Sequence, residues 1–126
     1  MDLMDRGSEM LGRVRSAHLA RPVTYRRGEQ IAQLAAAIGS TVFERTDDHG
    51  VIHRVESRDY LIAAGDLVIA GETVRPVAGD RVEEPGPDVL HVYEVIAPAG
   101  EPVWRYSDPQ RRTIRIHTKL VRTESV

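Results

Sequence analysis

Residues 74–106 read VRPVAGDRVEEPGPDVLHVYEVIAPAGEPVWRY, and this stretch decides the fold class. Pro76 and Gly79 stand where a four-residue turn needs a fixed φ and then a residue without a Cβ, which predicts a reversal followed by a strand from Arg81. A second cluster of turn-forming residues covers residues 84–88. The stretch therefore predicts antiparallel β structure.

Residues 89–96 are rich in β-branched, aromatic and aliphatic side chains, and apolar residues stand at both odd and even positions. The pattern predicts a strand that is buried on both faces. Such burial is more typical of a small closed barrel or an oligomer interface than of an open sheet with one solvent-exposed face.

Length and composition indicate a single domain. The chain has 126 residues, of which 41% are apolar and 29% charged. It contains no cysteine, so disulfides and thiolate metal sites are excluded. The first ten residues lack the cationic start and apolar run of a signal peptide, and no apolar stretch approaches the ~20 residues needed to span a bilayer. We expect a soluble intracellular protein with a β domain over residues 21–121, an N-terminal helical segment over residues 1–20 and a tail over residues 122–126.

The net charge of −2 conceals an uneven distribution along the chain. Residues 44–101 contain thirteen acidic and five basic side chains, whereas residues 105–122 contain six basic and one acidic. This arrangement is compatible with an ordinary solvated mixture of charges and equally with a subunit whose unlike ends dock different partners.

Residues 2–19 have apolar side chains at helical spacing, among them Met10, Leu11 and Val14. Two interior glycines each cost a helix about 1 kcal/mol relative to alanine, so the predicted helix needs a surface to lie on. That surface is either the β domain or a neighbouring subunit.

Residues 31–44 are ambiguous on local grounds. The spacing of Ile31 and Ile38 is helical and Gly39 is suited to a C-cap, but residues 40–44, STVFE, are strand-like. Propensity alone favours a helix.

The C-terminal part predicts another pair of strands, over residues 103–106 and 113–121, separated by a proline-containing turn. Apolar and basic side chains alternate in the second strand, which predicts one dry face and one basic face. The dry face carries Ile114, Ile116, Thr118 and Leu120, and the basic face carries Arg115, His117 and Lys119.

The chain shows no catalytic or metal-binding pattern. His49, His53 and His91 lack the H-x-x-x-H and H-E-x-x-H spacings, and residues 47–50 have the composition of an exposed turn. No serine stands in G-x-S-x-G, and the glycines form no phosphate-binding loop. We therefore expect no enzymatic activity, no metal and no cofactor.

Seven short segments occur in an informative order: VTYRRG (23–28), GSTVFE (39–44), SRDYLI (57–62), PVAGDR (76–81), YEV (93–95), EPVWRYSDP (101–109) and RIHTK (115–119). Together they resemble the small neck proteins of tailed phages and prophages, which are described as head-tail joining, head-closure or stopper proteins. The resemblance covers residues 23–119, and the combined order carries it more than any one segment. The acidic, proline-bearing residues 83–88 depart from the family pattern.

The resemblance implies that residues 31–44 are mainly β, against their propensity. It implies a mainly β fold, a small SH3-like β-barrel or sandwich with an N-terminal helix and extended loops. The implied role is structural: a ring of identical subunits between the portal or adaptor and the tail that closes the DNA channel and docks the tail.

The implied partners are further copies of the chain, a portal or adaptor protein, and tail terminator or tail tube proteins. Double-stranded DNA would pass through the lumen without specific binding. The implied location is the virion neck, after assembly in the cytoplasm of the bacterial host.

Two sets of site residues follow from this interpretation. The turn over residues 45–53 is predicted to project into the lumen, with Arg45, Asp47, Asp48, His49 and His53 as candidates. Partner contacts are predicted at Met10, Leu11, Val14, Tyr93, Trp104, Tyr106, Arg115 and Lys119.

Two other classes of function remain open from the sequence. A nucleic-acid-binding small barrel would stack bases on Trp104 and Tyr106 beside the basic C-terminal strand, and its DNA binding would be sensitive to salt. A cellular adaptor module with no phage connection would have the same fold.

Overall fold

In the computed structural model, residues 20–126 are described, and they form nine β-strands and one 3₁₀ turn. The strands are β1 (Arg21–Arg27), β2 (Gln30–Thr46), β3 (Ile52–Ala63), β4 (Val68–Ile69), β5 (Glu72–Thr73), β6 (Arg81–Gly86), β7 (Val89–Val95), β8 (Trp104–Tyr106) and β9 (Thr113–Ser125), with the 3₁₀ turn at Pro98–Gly100.

Six strands pair in a closed ring. Their order is β3-β2-β1-β6-β7-β9, and β9 pairs again with β3, so that every neighbouring pair in the ring is antiparallel. β8 pairs with β9, and β4 forms a separate two-stranded sheet with β5. The prediction of a mainly β fold is confirmed. The predicted helix over residues 2–19 lies outside the described residues.

β2 shows how tertiary pairing overrides local propensity. Residues 31–44 lie within one 17-residue strand, so the prediction that they are mainly β is confirmed. Ala32, Leu34 and Ala36 are buried while the residues between them are exposed, which is the period-2 pattern of a strand with one dry face. The alanines are held in the strand because β2 pairs with β1 over its first part and with β3 over its second part.

The ring encloses an aliphatic and aromatic core contributed by all six of its strands. The core side chains are Val23, Tyr25, Ala32, Leu34, Ala36, Tyr60, Ile62, Val82, Val95, Ile114 and Ile116, with Ala64, Leu67 and Ile69 from the segment after β3.

The decisive stretch differs from its prediction in two respects. β6 starts at Arg81 as predicted, but it continues to Gly86, so the turn predicted over residues 84–88 is wrong at its first three residues. Glu84 is buried within the strand and stands opposite His91 of β7 in the register, and the pairing of β6 with β7 continues to Gly86. In β7, Val92 and Val95 are buried and stand three residues apart, hence on opposite faces, whereas the other residues of the strand are half-buried. Burial on both faces is therefore confirmed for those two positions only.

β9 runs four residues beyond its predicted end at residue 121. The register against β7 shifts between Val92, which is opposite Arg122, and Tyr93, which is opposite Leu120. The predicted dry face is wrong at Leu120, which is half-exposed, because β9 has left β3 by this point and pairs with β7 alone. The predicted basic face is wrong at His117, which is buried against a carboxylate.

Candidate functional site

One hairpin extends past the ring of strands. β1 begins at Arg21, opposite Ala36, and the pairing of β9 with β3 stops at Arg58. Residues 41–46 of β2 and residues 52–57 of β3 therefore pair only with each other. We call residues 41–57 the arm and the turn over residues 47–51 its tip. Most residues of the arm are exposed.

The tip is braced by the side chain of Asp47. One carboxylate oxygen accepts hydrogen bonds from the backbone N–H groups of His49 and Val51, both at 2.9 Å, and the other lies 2.8 Å from Nε2 of His53. The bond to His53, followed by the bond from Val51, lowers the pKa of Asp47. The tip therefore keeps a negative charge in a fixed position while it remains exposed to solvent.

All five predicted lumen residues lie on the arm. Arg45 of β2 is directly opposite His53 of β3, and Asp47, Asp48 and His49 belong to the tip. The structure thus brings the five together at one end of the molecule.

The arm has two unlike faces. Its front face, residues 42, 44, 46, 52, 54 and 56, includes Val42 at 47% and Ile52 at 63% exposure, and a 3.4 Å ion pair between Glu44 and Arg54. Its back face, residues 43, 45, 53 and 55, turns toward β9 and the 3₁₀ turn. There the ring of Phe43 stands edge-on to the ring of His117, with 5.0 Å between centroids.

A buried carboxylate fixes the base of the arm. Asp59 has no exposed surface and accepts hydrogen bonds from the Oγ of Ser57 at 2.6 Å and from Nη1 of Arg115 at 2.6 Å. Nδ1 of His117 lies 2.9 Å from the same carboxylate, and the hydroxyl of Thr41 also donates to it. These groups come from β2, β3 and β9. The cluster therefore connects the first residues of the arm to β9, the strand from which the arm separates.

Electrostatics explain why Asp59 stays ionised there. Burial alone would raise its pKa, but the hydrogen bonds, led by those from His117 and Ser57, outweigh burial and hold the pKa well below its usual range. Nδ1 of His117 lies 3.4 Å from Oγ of Ser57 but only 2.9 Å from Asp59, and the hydroxyl of Ser57 donates to the same carboxylate oxygen at 2.6 Å. Both groups are therefore directed at Asp59 rather than at each other. The cluster is suited to positioning rather than to catalysis.

Two further carboxylates are buried against arginines. Glu84 accepts from Nη2 of Arg58 at 2.7 Å and from the hydroxyl of Tyr60 at 2.9 Å. Asp80 accepts from Nη2 of Arg27 at 2.8 Å and from the hydroxyl of Tyr25. Part of the acidity of residues 44–101 is therefore neutralised inside the fold and does not reach its surface.

A groove runs along the back face of the arm, between the arm and the 3₁₀ turn. It consists of two adjoining cavities of about 620 and 400 Å³ that share Val55 and Ala99. Its apolar wall consists of Val55, Ile96, Pro98 and Ala99. Lys119 and Glu94 line one end, and Arg45, Asp47 and Asp48 line the other.

Comparison with known families identifies the family of this chain. The model of the phage head-tail joining protein family matches residues 1–125. The chain belongs to the phage head-tail joining family. The resemblance of the seven segments is thereby confirmed, and a comparison with curated proteins finds no match. The family is structural rather than enzymatic, its place is the virion neck, and its members interact with head and tail components of the phage.

The aromatic partner candidates of this head-tail joining protein are engaged within the fold. Trp104 and Tyr106 pack edge-on to each other with 5.0 Å between ring centroids, and the guanidinium groups of Arg75 and Arg111 lie over their rings at 5.5 and 5.4 Å. Both rings also pack against the core. Each ring is therefore partly covered by contacts within the fold.

The remaining candidates are in different environments. Tyr93 packs on Tyr60 with the guanidinium of Arg58 5.0 Å from its ring centroid. Arg115 binds Asp59, whereas Lys119 is exposed at the end of the groove. Met10, Leu11 and Val14 lie outside the described residues, and the contact role of all eight stays a prediction.

Sequence reasoning missed the two faces of the arm and the cluster at its base. The alternation of Val42, Glu44 and Thr46 with Phe43 and Arg45 was a signal for two faces. The Asp59 cluster had none, because its members are up to 76 residues apart in the chain.

Two absences concern the described part of the head-tail joining protein only. Within residues 20–126, no three histidine or carboxylate side chains stand close enough to hold a metal ion. In the same range, no helix is long and apolar enough to cross a membrane.

Proposed function

We propose that this head-tail joining protein assembles into a ring of identical subunits between the portal or adaptor and the tail. The ring closes the DNA channel after packaging and presents a docking surface to tail terminator or tail tube proteins. The observation that carries the proposal is the arm, which projects from the ring of strands in a member of this family. Assembly takes place in the cytoplasm of the bacterial host.

The tip of the arm is the element that faces the lumen. Arg45, Asp47, Asp48, His49 and His53 are exposed or half-buried there, and Asp47 holds the tip in shape without help from another strand. A channel from which DNA must later leave should not bind phosphates tightly, and the carboxylates of Asp47 and Asp48 repel them. DNA therefore passes without specific binding.

The architecture supports assembly by a head-to-tail contact. Rings form through heterologous interfaces, in which two different surfaces of each subunit meet. Val42, Ile52 and Leu120 provide exposed apolar area for such a contact. In this proposal the closed ring of strands is a small SH3-like barrel that serves as the rigid body of each subunit.

The test is the mass of the full chain, alone and mixed with its portal complex, measured by native mass spectrometry. We expect either a ring-sized species or a monomer that joins the portal as a ring. A chain that stays monomeric in both conditions would contradict the proposal. Cryo-electron microscopy of the assembled neck then locates the tip, and a tip on the outer wall would remove its lumen role.

A further inference from the structure

The two faces of the arm differ in charge as well as in shape. On the front face, Val42 and Ile52 are exposed and Glu56 has no ion-pair partner among residues 20–126. The groove behind the back face is lined by Val55, Ile96 and Pro98, with Lys119 and Glu94 at one end and Arg45, Asp47 and Asp48 at the other. Neither cation has a partner within the described residues. The unpaired carboxylate of Glu56 and the unpaired ammonium group of Lys119 thus lie on opposite sides of one hairpin, each beside exposed or groove-lining apolar residues.

Glu56 and Lys119 also lie at nearly the same level along β3. Glu56 stands at the base of the arm, and Lys119 follows Thr118, the last β9 residue paired with the base of β3. When two copies stand side by side with their arms parallel, Glu56 of one copy comes next to Lys119 of the other.

We propose that the front face of the arm of one copy docks into the back groove of the arm of the next copy. The inference rests on the proposed ring and specifies its subunit interface. Val42 and Ile52 cover the apolar wall of the groove, while Glu56 pairs with Lys119. Because the two surfaces are different, the contact is heterologous and leads from copy to copy around a ring.

Other charges near the groove are already occupied or remote. Glu94 lies beside Lys119 but is held by Arg81 at 3.6 Å, and Asp47 is held by His53 at 2.8 Å. Asp48 lines the same end of the groove as Arg45, away from Lys119. Lys119 therefore remains available to the carboxylate of a neighbour.

The arm itself favours a neighbouring copy as the occupant. A two-stranded hairpin is marginally stable in water without a third strand or another covered face. The back face of the arm is covered by His117 and the 3₁₀ turn, but its front face is not. A second copy covers that face with its groove and places Lys119 opposite Glu56. Every subunit in a ring is stabilised in the same way.

Charge exchange tests the proposal. The variants Glu56→Lys and Lys119→Glu are prepared separately, mixed in equal amounts, and combined in one chain. Glu72→Lys is the matched control, since Glu72 is exposed on the small β4–β5 sheet and carries the same change of charge. The readout is the ring population by native mass spectrometry, alone and on the portal complex, with circular dichroism to verify folding.

We expect each single variant to weaken subunit association by roughly tenfold or more, because like charges meet at the interface. The double variant and the equal mixture should both recover assembly, since each pairs a lysine with a glutamate. Glu72→Lys should assemble as wild type does. The mixture provides the answer even if one variant is less stable, because recovery requires both surfaces to fit.

Several outcomes would overturn the interface. If the wild type forms rings and both single variants form them equally well, the ring stands and this interface is wrong. The same holds if the single variants fail and neither the mixture nor the double variant recovers, which would indicate that another surface or partner occupies the arm. A wild type that forms no ring, alone or on the portal, removes the proposed function and this interface together.

Discussion

Nη1 of Arg115 lies 2.6 Å from Oδ2 of Asp59, a carboxylate that has no exposed surface. The pair joins β9 to β3 at the point where the two strands separate and the arm begins. Because His117 and Thr41 bind the same carboxylate, one buried charge determines how the arm leaves the ring. The stability and the position of the arm therefore depend on Asp59.

Replacing Asp59 with asparagine should lower the free energy of unfolding by about 3 kcal/mol, because breaking a buried ion pair leaves a partner charge uncompensated. We expect the lower end of the usual range, since the Arg115 side chain keeps 21% of its surface exposed. Urea denaturation measures the change. Asp66→Asn, at an exposed turn position, is the control and should shift stability by less than about 0.5 kcal/mol. Equal effects of the two changes would show that the cluster contributes nothing special.

The contribution of Asp59 should depend on pH in a defined direction. Folding lowers its pKa below the unfolded value of about 3.9. A carboxyl of this kind stabilises the fold fully above its unfolded pKa, and the stabilisation is lost as the pH falls toward the folded pKa. The difference in unfolding free energy between wild type and Asp59→Asn should therefore be constant near neutral pH and shrink below about pH 5. Denaturation curves at pH 7, 5 and 3 test this, and a difference that persists unchanged at pH 3 would contradict it.

Gly39 should be required because of Arg115. A Cβ on residue 39 would lie 3.2 Å from Nη1 of Arg115 and 3.3 Å from Cδ1 of Leu61, so Gly39→Ala should displace the guanidinium and cost about 1 kcal/mol. Gly65→Ala is the matched control, because no atom lies within 4 Å of its Cβ position. In an Arg115→Met background the cost of Gly39→Ala should fall, as measured by a double-mutant cycle of thermal or urea unfolding. Strict additivity of the two changes would argue against the contact.

Phe43 should hold the arm against the ring. Phe43→Ala removes the edge-on contact with His117, and aromatic pairs of this kind contribute about 0.5–1.5 kcal/mol beyond their buried area. Hydrogen exchange of the amides in residues 41–57 should accelerate by up to about tenfold, while core amides of β6 and β7 stay protected. Val42→Ala, on the exposed front face of the same strand, should leave exchange in the monomer nearly unchanged. Uniform acceleration across the whole chain would show that Phe43 supports the global fold rather than the arm.

Several features of the fold can be predicted from the sequence because they depend on the local pattern of residue types. The turn before Arg81, the strand in residues 89–96 and the exposed turn at residues 47–50 follow from proline, glycine and alternation. Five lumen candidates lie together because they are neighbours in one hairpin. Residues 31–44 needed the family resemblance, since three alanines and a helical spacing conceal a strand.

The sequence alone is enough to assign the β class, to exclude thiol chemistry and to recognise the order of segments that marks the family. Which charged groups are buried and which are accessible depends on the strand pairing. Asp59 and Glu84 look like ordinary surface acids in the chain, and His117 looks like part of a basic face, yet all three are buried. The physical reason is that a charge can be buried only where distant strands supply its partners, and the pairing of β3 with β9 brings Asp59 and Arg115 together across 56 residues of sequence.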